Sequence, residues 1–388
     1  IMARQFVSEF TSRYPNTKVA YASKAFLNIS MAKIAEEENL ELDVVSGGEI
    51  AVAAAAGFPT AKMHFHGNNK TPSELSESVN SGVETIVVDG FQELDLLNEI
   101  ARDQNVVQGI MLRLSPSIDA HTHGHTTTGI LDVKFGFSIE TGESTVAIRQ
   151  ALQSSNLDLK GIHFHLGSPI FELEPYSTAI DTVFDYLAQF VPEGLNLREF
   201  SPGGGFAIGY TRESPPPPVS AYAEVITSML KNKCSDLNIE PPVLIIEPGR
   251  SIVGRAGVAV YTVGVIKEIP TVRTYVSLDG GMGDNIRPAL YGSEYEAVIA
   301  NKIIAEDEKI VTLAGKYCES GDLLVKDVLL PSIETGDIVA IPSSGAYCLA
   351  MSSNYNMNPR PAVVMVGNGQ SRLVRKRETY KDLMALDL

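Results

Sequence analysis

The sequence predicts an α/β chain in two parts: a (β/α)8 TIM-type barrel, then an all-β barrel or sandwich. Three observations predict it. Short β-prone runs alternate with helical patterns until eight strands have passed. Beyond about residue 252 the helical patterns thin out, and strand-like runs divided by Gly, Pro and Asp turns replace them. The length, 388 residues, is too great for one typical domain and suits two, expected at 1–252 and 253–388.

Taken in order, the chain opens in an amphipathic helical pattern, Ile1-Met2-Ala3-Arg4-Gln5-Phe6-Val7, so further sequence is expected before it. The β-prone runs follow at 18–22, 42–46, 62–65, 84–88, 109–114, 161–166, 197–201 and 243–247. Helical patterns lie between them at 30–38, 48–56, 72–80, 92–103, 142–153, 175–190 and 220–231. Eight such units favour closure over an open doubly wound sheet. Four prolines at 215–218 read as a stiff extended loop and not as a domain boundary. In the second part, 258–266, 274–278, 310–314, 337–342, 362–366 and 371–375 read as strands, with a short helix at 380–385.

Composition narrows the function. The apolar fraction of 44% and charged fraction of 20% are those of a globular protein. A formal charge of −16 argues against broad binding to nucleic acid or anionic membrane and leaves room for a local cationic pocket. The cysteines at 234, 318 and 348 are too few and too scattered for a disulfide framework or a structural zinc site. A reducing, cytoplasmic compartment is the expectation. No apolar run approaches the roughly 18 residues of a membrane span.

The chemistry gathers at the expected C-terminal strand ends, the catalytic face of such a barrel. Lys24, in Tyr21-Ala22-Ser23-Lys24-Ala25, ends the first run. There a lysine can lose water, drop its pKa and act as a nucleophilic amine; most strand-end lysines simply reach solvent. The sixth run ends in His163-Phe164-His165-Leu166-Gly167-Ser168, whose alternation puts both histidines on one face. The seventh ends in Ser201-Pro202-Gly203-Gly204-Gly205 and the eighth in Glu247-Pro248-Gly249-Arg250. Consecutive glycines let backbone N–H groups approach an anion, Ser168 can donate to it, and Arg250 adds positive charge. Each motif alone is usually a turn. Together with an amine, a carboxylate able to hold a protonated pyridine nitrogen, and an imidazole able to stack on a ring, they meet the demands of pyridoxal phosphate. In the second part, Arg287 and Tyr291 are four residues apart and on a helical turn would share a face able to grip one carboxylate.

The chain resembles the fold-type III pyridoxal-phosphate-dependent amino-acid decarboxylases over nearly its whole length. The resemblance rests on Tyr-Ala-Ser-Lys-Ala at 21–25, Asp-Val-Val-Ser-Gly-Gly-Glu at 43–49, Gly-Asn-Asn-Lys at 67–70, Lys-Phe-Gly at 134–136 and the strand-end motifs above. It continues with Arg-Pro-Ala-Leu-Tyr at 287–291, Cys-Glu-Ser-Gly-Asp at 318–322 and Gly-Ala-Tyr at 345–347. It implies an alanine racemase-like barrel using pyridoxal 5'-phosphate to decarboxylate meso-2,6-diaminopimelate to L-lysine. By the same resemblance Lys24 would carry the cofactor, His165 stack on its ring and Glu247 pair with its nitrogen. Ser168, Gly204, Gly205, Gly249 and Tyr347 would hold the phosphate. Arg250, Arg287 and Tyr291 would bind the substrate's far carboxylate, and Glu319 its far ammonium. Cys318 or Lys24 would be the proton donor, and Asp43 and Arg113 would support the lysine and ring from adjacent strands. A homodimer with shared sites is also implied. The family's usual leading β-domain strand is missing from this sequence.

Three rival readings follow from the residues. One is decarboxylation of another diamino acid, such as carboxynorspermidine, ornithine or arginine. Another is a metal-dependent hydrolase using His64 and His66 with His121, His123 and His125. The third is a binding protein that kept the fold without turnover.

Overall fold

The computed structural model describes residues 1–118, 132–306 and 308–388. They form two compact units, Ile1–Ile208 with Pro216–Ile252, and Gly209–Pro215 with Val253–Leu388.

The first unit is built on nine strands: β1 (Thr17–Ala22), β2 (Glu41–Val44), β3 (Met63–Phe65), β4 (Thr85–Val88), β5 (Gln108–Ser115), β6 (Phe137–Ser138), β7 (Leu157–His163), β8 (Glu199–Gly203) and β9 (Val243–Ile246). They run β4-β3-β2-β1-β9-β8-β7-β5, and β4 pairs with β5 to close the ring; β6 hangs on β5 outside it. Every pairing is parallel. Eight strands in a closed parallel ring are the expected barrel. β2 to β5 are buried at every residue, as strands covered on both faces must be. Ala20, Val87, Met111 and Ile245 fill part of the interior from β1, β4, β5 and β9.

The helices begin where capping residues allow. Asn28, Ser46 and Thr71 each accept a backbone N–H from the first turn of the helix that follows, and Thr71 with Glu74 completes a reciprocal capping box. The amphipathic opening is a helix, Met2–Thr11, whose Phe6 packs edge-on against Phe206 with centroids 5.0 Å apart.

Two stretches differ from the sequence reading. β7 begins at Leu157 and ends at His163, so His165 lies beyond the strand. Leu157-Asp158-Leu159-Lys160 alternates buried and half-buried, which hides its strand character behind two charges. The four prolines lack regular structure, as expected, but the division between the units falls inside them, after Pro215.

The second unit carries β10 (Ala259–Ile269), β11 (Arg273–Leu278), β12 (Val298–Ile299), β13 (Lys309–Ala314), β14 (Leu323–Leu330), β15 (Ile338–Ile341), β16 (Val363–Gly367) and β17 (Gln370–Arg375). Six form one sheet, β12-β15-β10-β11-β13-β14; the last two form a separate hairpin. Its core includes Tyr261, Val276, Leu313, Val339 and Ile341. Among the described residues, no helix is long and apolar enough to cross a membrane.

Candidate active site

The C-terminal ends of the barrel strands bring most of the first unit's expected residues together. β1 gives way to a single tight turn, Ser23–Ala25, that carries Lys24. The Lys24 Nζ lies 3.5 Å from Oδ2 of Asp43 on the neighbouring β2. The Lys24 side chain is 42% exposed, whereas Asp43 is buried and neither of its oxygens has a hydrogen-bond partner. Burial pushes the Asp43 carboxyl up, against the Lys24 charge, and the charge of Glu247 adds to the rise.

Glu247 follows β9 and is also buried, yet its pKa moves the other way. Burial raises it, and the neighbouring His163 and His66 rings, with hydrogen bonds from His163 and Ser201, more than offset that. The Ser201 Oγ donates to Oε1 at 2.7 Å, and the His163 Nε2 lies 3.2 Å from Oε2. His66, just past β3, places its Nε2 3.6 Å from Glu247 and 3.8 Å from Asp43, between the two carboxylates. Its ring meets His163 edge-on at 4.8 Å. Burial holds the His66 and His165 pKa values well below the ordinary one, so both rings are neutral near pH 7.

The glycine run is a cradle that side chains would fill. A Cβ on Gly204 would lie 2.1 Å from the Glu247 carbonyl oxygen, and one on Gly205 2.5 Å from that of Gly167. Gly203 and Gly205 hold φ of 76° and 101°, the left-handed region that favours glycine. The Gly204 N–H donates to His165 Nδ1 at 3.2 Å, and the buried Tyr176 hydroxyl donates to the Gly204 carbonyl at 2.6 Å. The Arg250 guanidinium donates to the Ser168 hydroxyl from Nε at 3.3 Å and Nη2 at 3.2 Å. A Cβ on Gly249 would meet Ala22 at 2.9 Å, so glycine lets that turn sit on the lysine's strand.

Arg113 requires a correction. It lies on β5, which is separated from the Asp43 strand by β3 and β4, so the two do not act from adjacent strands. Its nearest ion partner is Asp89, at 3.7 Å, and its guanidinium stacks 4.3 Å from the Phe135 centroid. Asp89 in turn accepts the Gly136 N–H at 2.6 Å, which ties the Lys134-Phe135-Gly136 motif to the mouth. The sequence alone assigns no cofactor role to Asp89, His66, Ser201 or Tyr176. Each works through contacts between strands or helices distant in sequence, which leave no local pattern.

In the second unit, Arg287 and Tyr291 share one helical turn, as expected. The Arg287 Nη1 donates to the Tyr295 hydroxyl at 2.6 Å, its guanidinium lies 4.6 Å from the Tyr210 centroid, and its buried Nε has no hydrogen-bond partner. Cys318 and Glu319 are exposed. The Asp322 carboxylate anchors their loop by accepting N–H groups from Tyr317 at 2.9 Å and Met282 at 2.6 Å. Tyr347 is half-buried and holds a φ of 59°.

Among the described residues, two groups have metal-ligating spacing, His66 with His163 and Glu247, and Glu41 with His64 and Glu84. The first lies within the site just described. In the second, the Lys18 ammonium already stands 3.0 Å from Glu41 and 3.5 Å from Glu84. His121, His123 and His125 lie outside the described residues.

An amine, two buried carboxylates of opposite tendency, neutral imidazoles and a glycine cradle define a site for a phosphorylated aldehyde cofactor. Residues 2–254 match the family described as pyridoxal-dependent decarboxylase, pyridoxal binding domain, and the chain belongs to that family. Within it, the chain is 47% identical to the diaminopimelate decarboxylase of Bacillus subtilis (strain 168), over 100% of this chain and 88% of that one. The solved diaminopimelate decarboxylase from M. jannaschii superposes with a TM-score of 0.93 at 33% identity, covering 100% of this chain and 89% of that one. The Helicobacter pylori enzyme, solved with L-lysine, gives 0.91 at 30% identity, covering 100% and 94%. The cofactor of this family is pyridoxal 5'-phosphate. The orphaned Asp43 oxygens beside Lys24, the ionised Glu247 and the glycine cradle fit it.

Proposed function

We propose that this protein decarboxylates meso-2,6-diaminopimelate to L-lysine and carbon dioxide. The observation that carries the reading is that relatives of 40–47% identity over at least 95% of this chain are diaminopimelate decarboxylases. When bound, the cofactor supplies an electron sink for the pair released as the carbon–carboxylate bond breaks.

The chain's own residues do the rest. Lys24 would provide the amine that holds the cofactor and would give way to the substrate's amine, and Asp43 would orient it from 3.5 Å. Glu247 offers an anionic oxygen to the ring nitrogen, His165 presents a neutral ring face, and Arg113 with its Asp89 partner steadies the opposite strands. Ser168, Gly204, Gly205, Gly249 and Tyr347 are assigned to the phosphate. Arg250, Arg287 and Tyr291 are assigned to the substrate's far carboxylate and Glu319 to its far ammonium, with Tyr347 also assigned to substrate. Cys318 and Lys24 are the candidate proton donors to the carbon that loses carboxylate. A site that leaves such polar groups unpaired rejects substrates lacking a distal carboxylate. The working form proposed is a homodimer with shared sites in the cytoplasm, consistent with three free cysteines. Purified enzyme given diaminopimelate, ornithine and arginine in competition should release carbon dioxide from diaminopimelate alone; preferred turnover of ornithine or arginine would overturn the assignment.

A further inference from the structure

Glu247 is held by one short stretch of chain through both its backbone and its side chain. Its N–H donates to the Gly203 carbonyl at 3.1 Å, and its own carbonyl lies where a Gly204 Cβ would be. The pairing of β8 with β9 breaks register between Phe200 and Gly203, an irregularity that re-aims the residues within it. Ser201 sits in that break. Its hydroxyl accepts the Gly203 N–H at 3.1 Å, so its single proton is directed to Glu247 Oε1, 2.7 Å away.

The second oxygen is fixed from β7. The His163 Nδ1 is buried with no hydrogen-bond partner. A proton there would be a donor without an acceptor, whereas a proton on Nε2 is directed to Glu247 Oε2 at 3.2 Å. Both oxygens therefore accept, and a protonated Glu247 would have to surrender one of these bonds. Other charged or titratable groups face Glu247 from around the barrel: Asp43, His66, Arg113 and His165, with Lys24 beside Asp43. The His66 Nε2 lies 3.6 Å from Glu247 Oε1.

We propose that Ser201 and His163 are positioning residues for the reaction, clamping one oxygen each of Glu247 so that its negative charge stays fixed against the cofactor's ring nitrogen. This rests on the proposed pairing of Glu247 with that nitrogen. The clamp sets how strongly the ring draws electrons, through side chains that need not touch substrate.

The test is nitrogen NMR of holoenzyme reconstituted with ring-labelled pyridoxal phosphate, across neutral pH, for wild type, S201A, S201T, H163F and E247Q. The clamp predicts a pyridinium resonance in wild type, displaced toward neutral pyridine in S201A and H163F and restored in S201T. Turnover should fall roughly ten- to hundredfold in S201A with KM little changed. If E247Q moves the resonance while S201A and H163F leave it in place, the clamp is wrong and the Glu247 pairing survives. If E247Q also leaves it in place, the pairing itself fails and the clamp with it. The Ser201 substitutions remove and restore one hydroxyl, so they decide the matter even if H163F does not fold.

Discussion

The two ends of the barrel use the same residue types to opposite ends. At the floor, where the strands begin, Glu41 receives the His64 Nε2 at 2.5 Å and the Lys18 ammonium at 3.0 Å. Glu84 faces Lys18 at 3.5 Å and Lys160 at 3.6 Å, and the Gln108 amide donates to the Val83 carbonyl at 3.1 Å. Only Glu199 Oε2 is left unpaired in this group among the described residues. At the mouth, Asp43 keeps two bare oxygens, His163 a bare nitrogen and Ser23 a bare hydroxyl. Unpaired buried groups cost about 1–3 kcal/mol each. The floor spends its charges on one another and holds the barrel shut, while the mouth withholds its own for a ligand.

The sharpest way to break this contrast is at Lys24. Lys24→Ala should lower turnover by at least about a thousandfold. Its urea midpoint without cofactor should match wild type, because the side chain is 42% exposed. A matching loss of stability would mean that the mouth is structural too.

The floor should answer in the reverse sense. Glu41→Ala strands a buried His64 and should cost about 3–5 kcal/mol in urea titration, with turnover per folded molecule unchanged. Its pH dependence sharpens the point. Burial works to lower the His64 pKa, but the hydrogen bond and charge of Glu41 leave it above 6.5. Burial works to raise the Glu41 pKa, but His64 and Lys18 bring it below 4.5. The His64 contribution is complete below pH 6.5 and is lost as pH rises through the folded value. The Glu41 contribution is complete above pH 4.5 and is lost as pH falls through its folded value. The stability gap between wild type and Glu41→Gln should therefore be widest between pH 4.5 and 6.5 and narrow on both sides.

Tyr176→Phe gives the smallest expected effect. It deletes one buried hydrogen bond, the 2.6 Å contact to the Gly204 carbonyl, worth about 1 kcal/mol. Calorimetry should show that loss, and cofactor titration a several-fold weaker phosphate grip. No change in cofactor affinity would mean that the cradle holds its shape without this tether.

Much of this was legible in the residues. Eight strands could be counted because β-prone runs and helical patterns alternate, and Lys24, the triple glycine and Glu-Pro-Gly-Arg mark strand ends. β14 escaped, since Lys326 and Asp327 interrupt its apolar run. Ser201 lies in the Ser-Pro-Gly-Gly-Gly motif, but the motif does not show its role, because its partner Glu247 is 46 residues away and only barrel closure brings them together. From the sequence His66 reads as a candidate metal ligand; its place between two carboxylates depends on the register of β2 with β3 and on β9. The Asp322 anchor was likewise invisible, since it acts on backbone N–H groups that a sequence does not position.

The central claim is that Lys24, and no other amine, meets the cofactor. Borohydride reduction of the holoenzyme followed by peptide mass mapping tests it directly. A pyridoxyl adduct confined to Lys24 is the predicted result. An adduct on the buried Lys70, which is already paired with Glu93 at 2.7 Å, or on Lys18 or Lys160 of the floor, would contradict it.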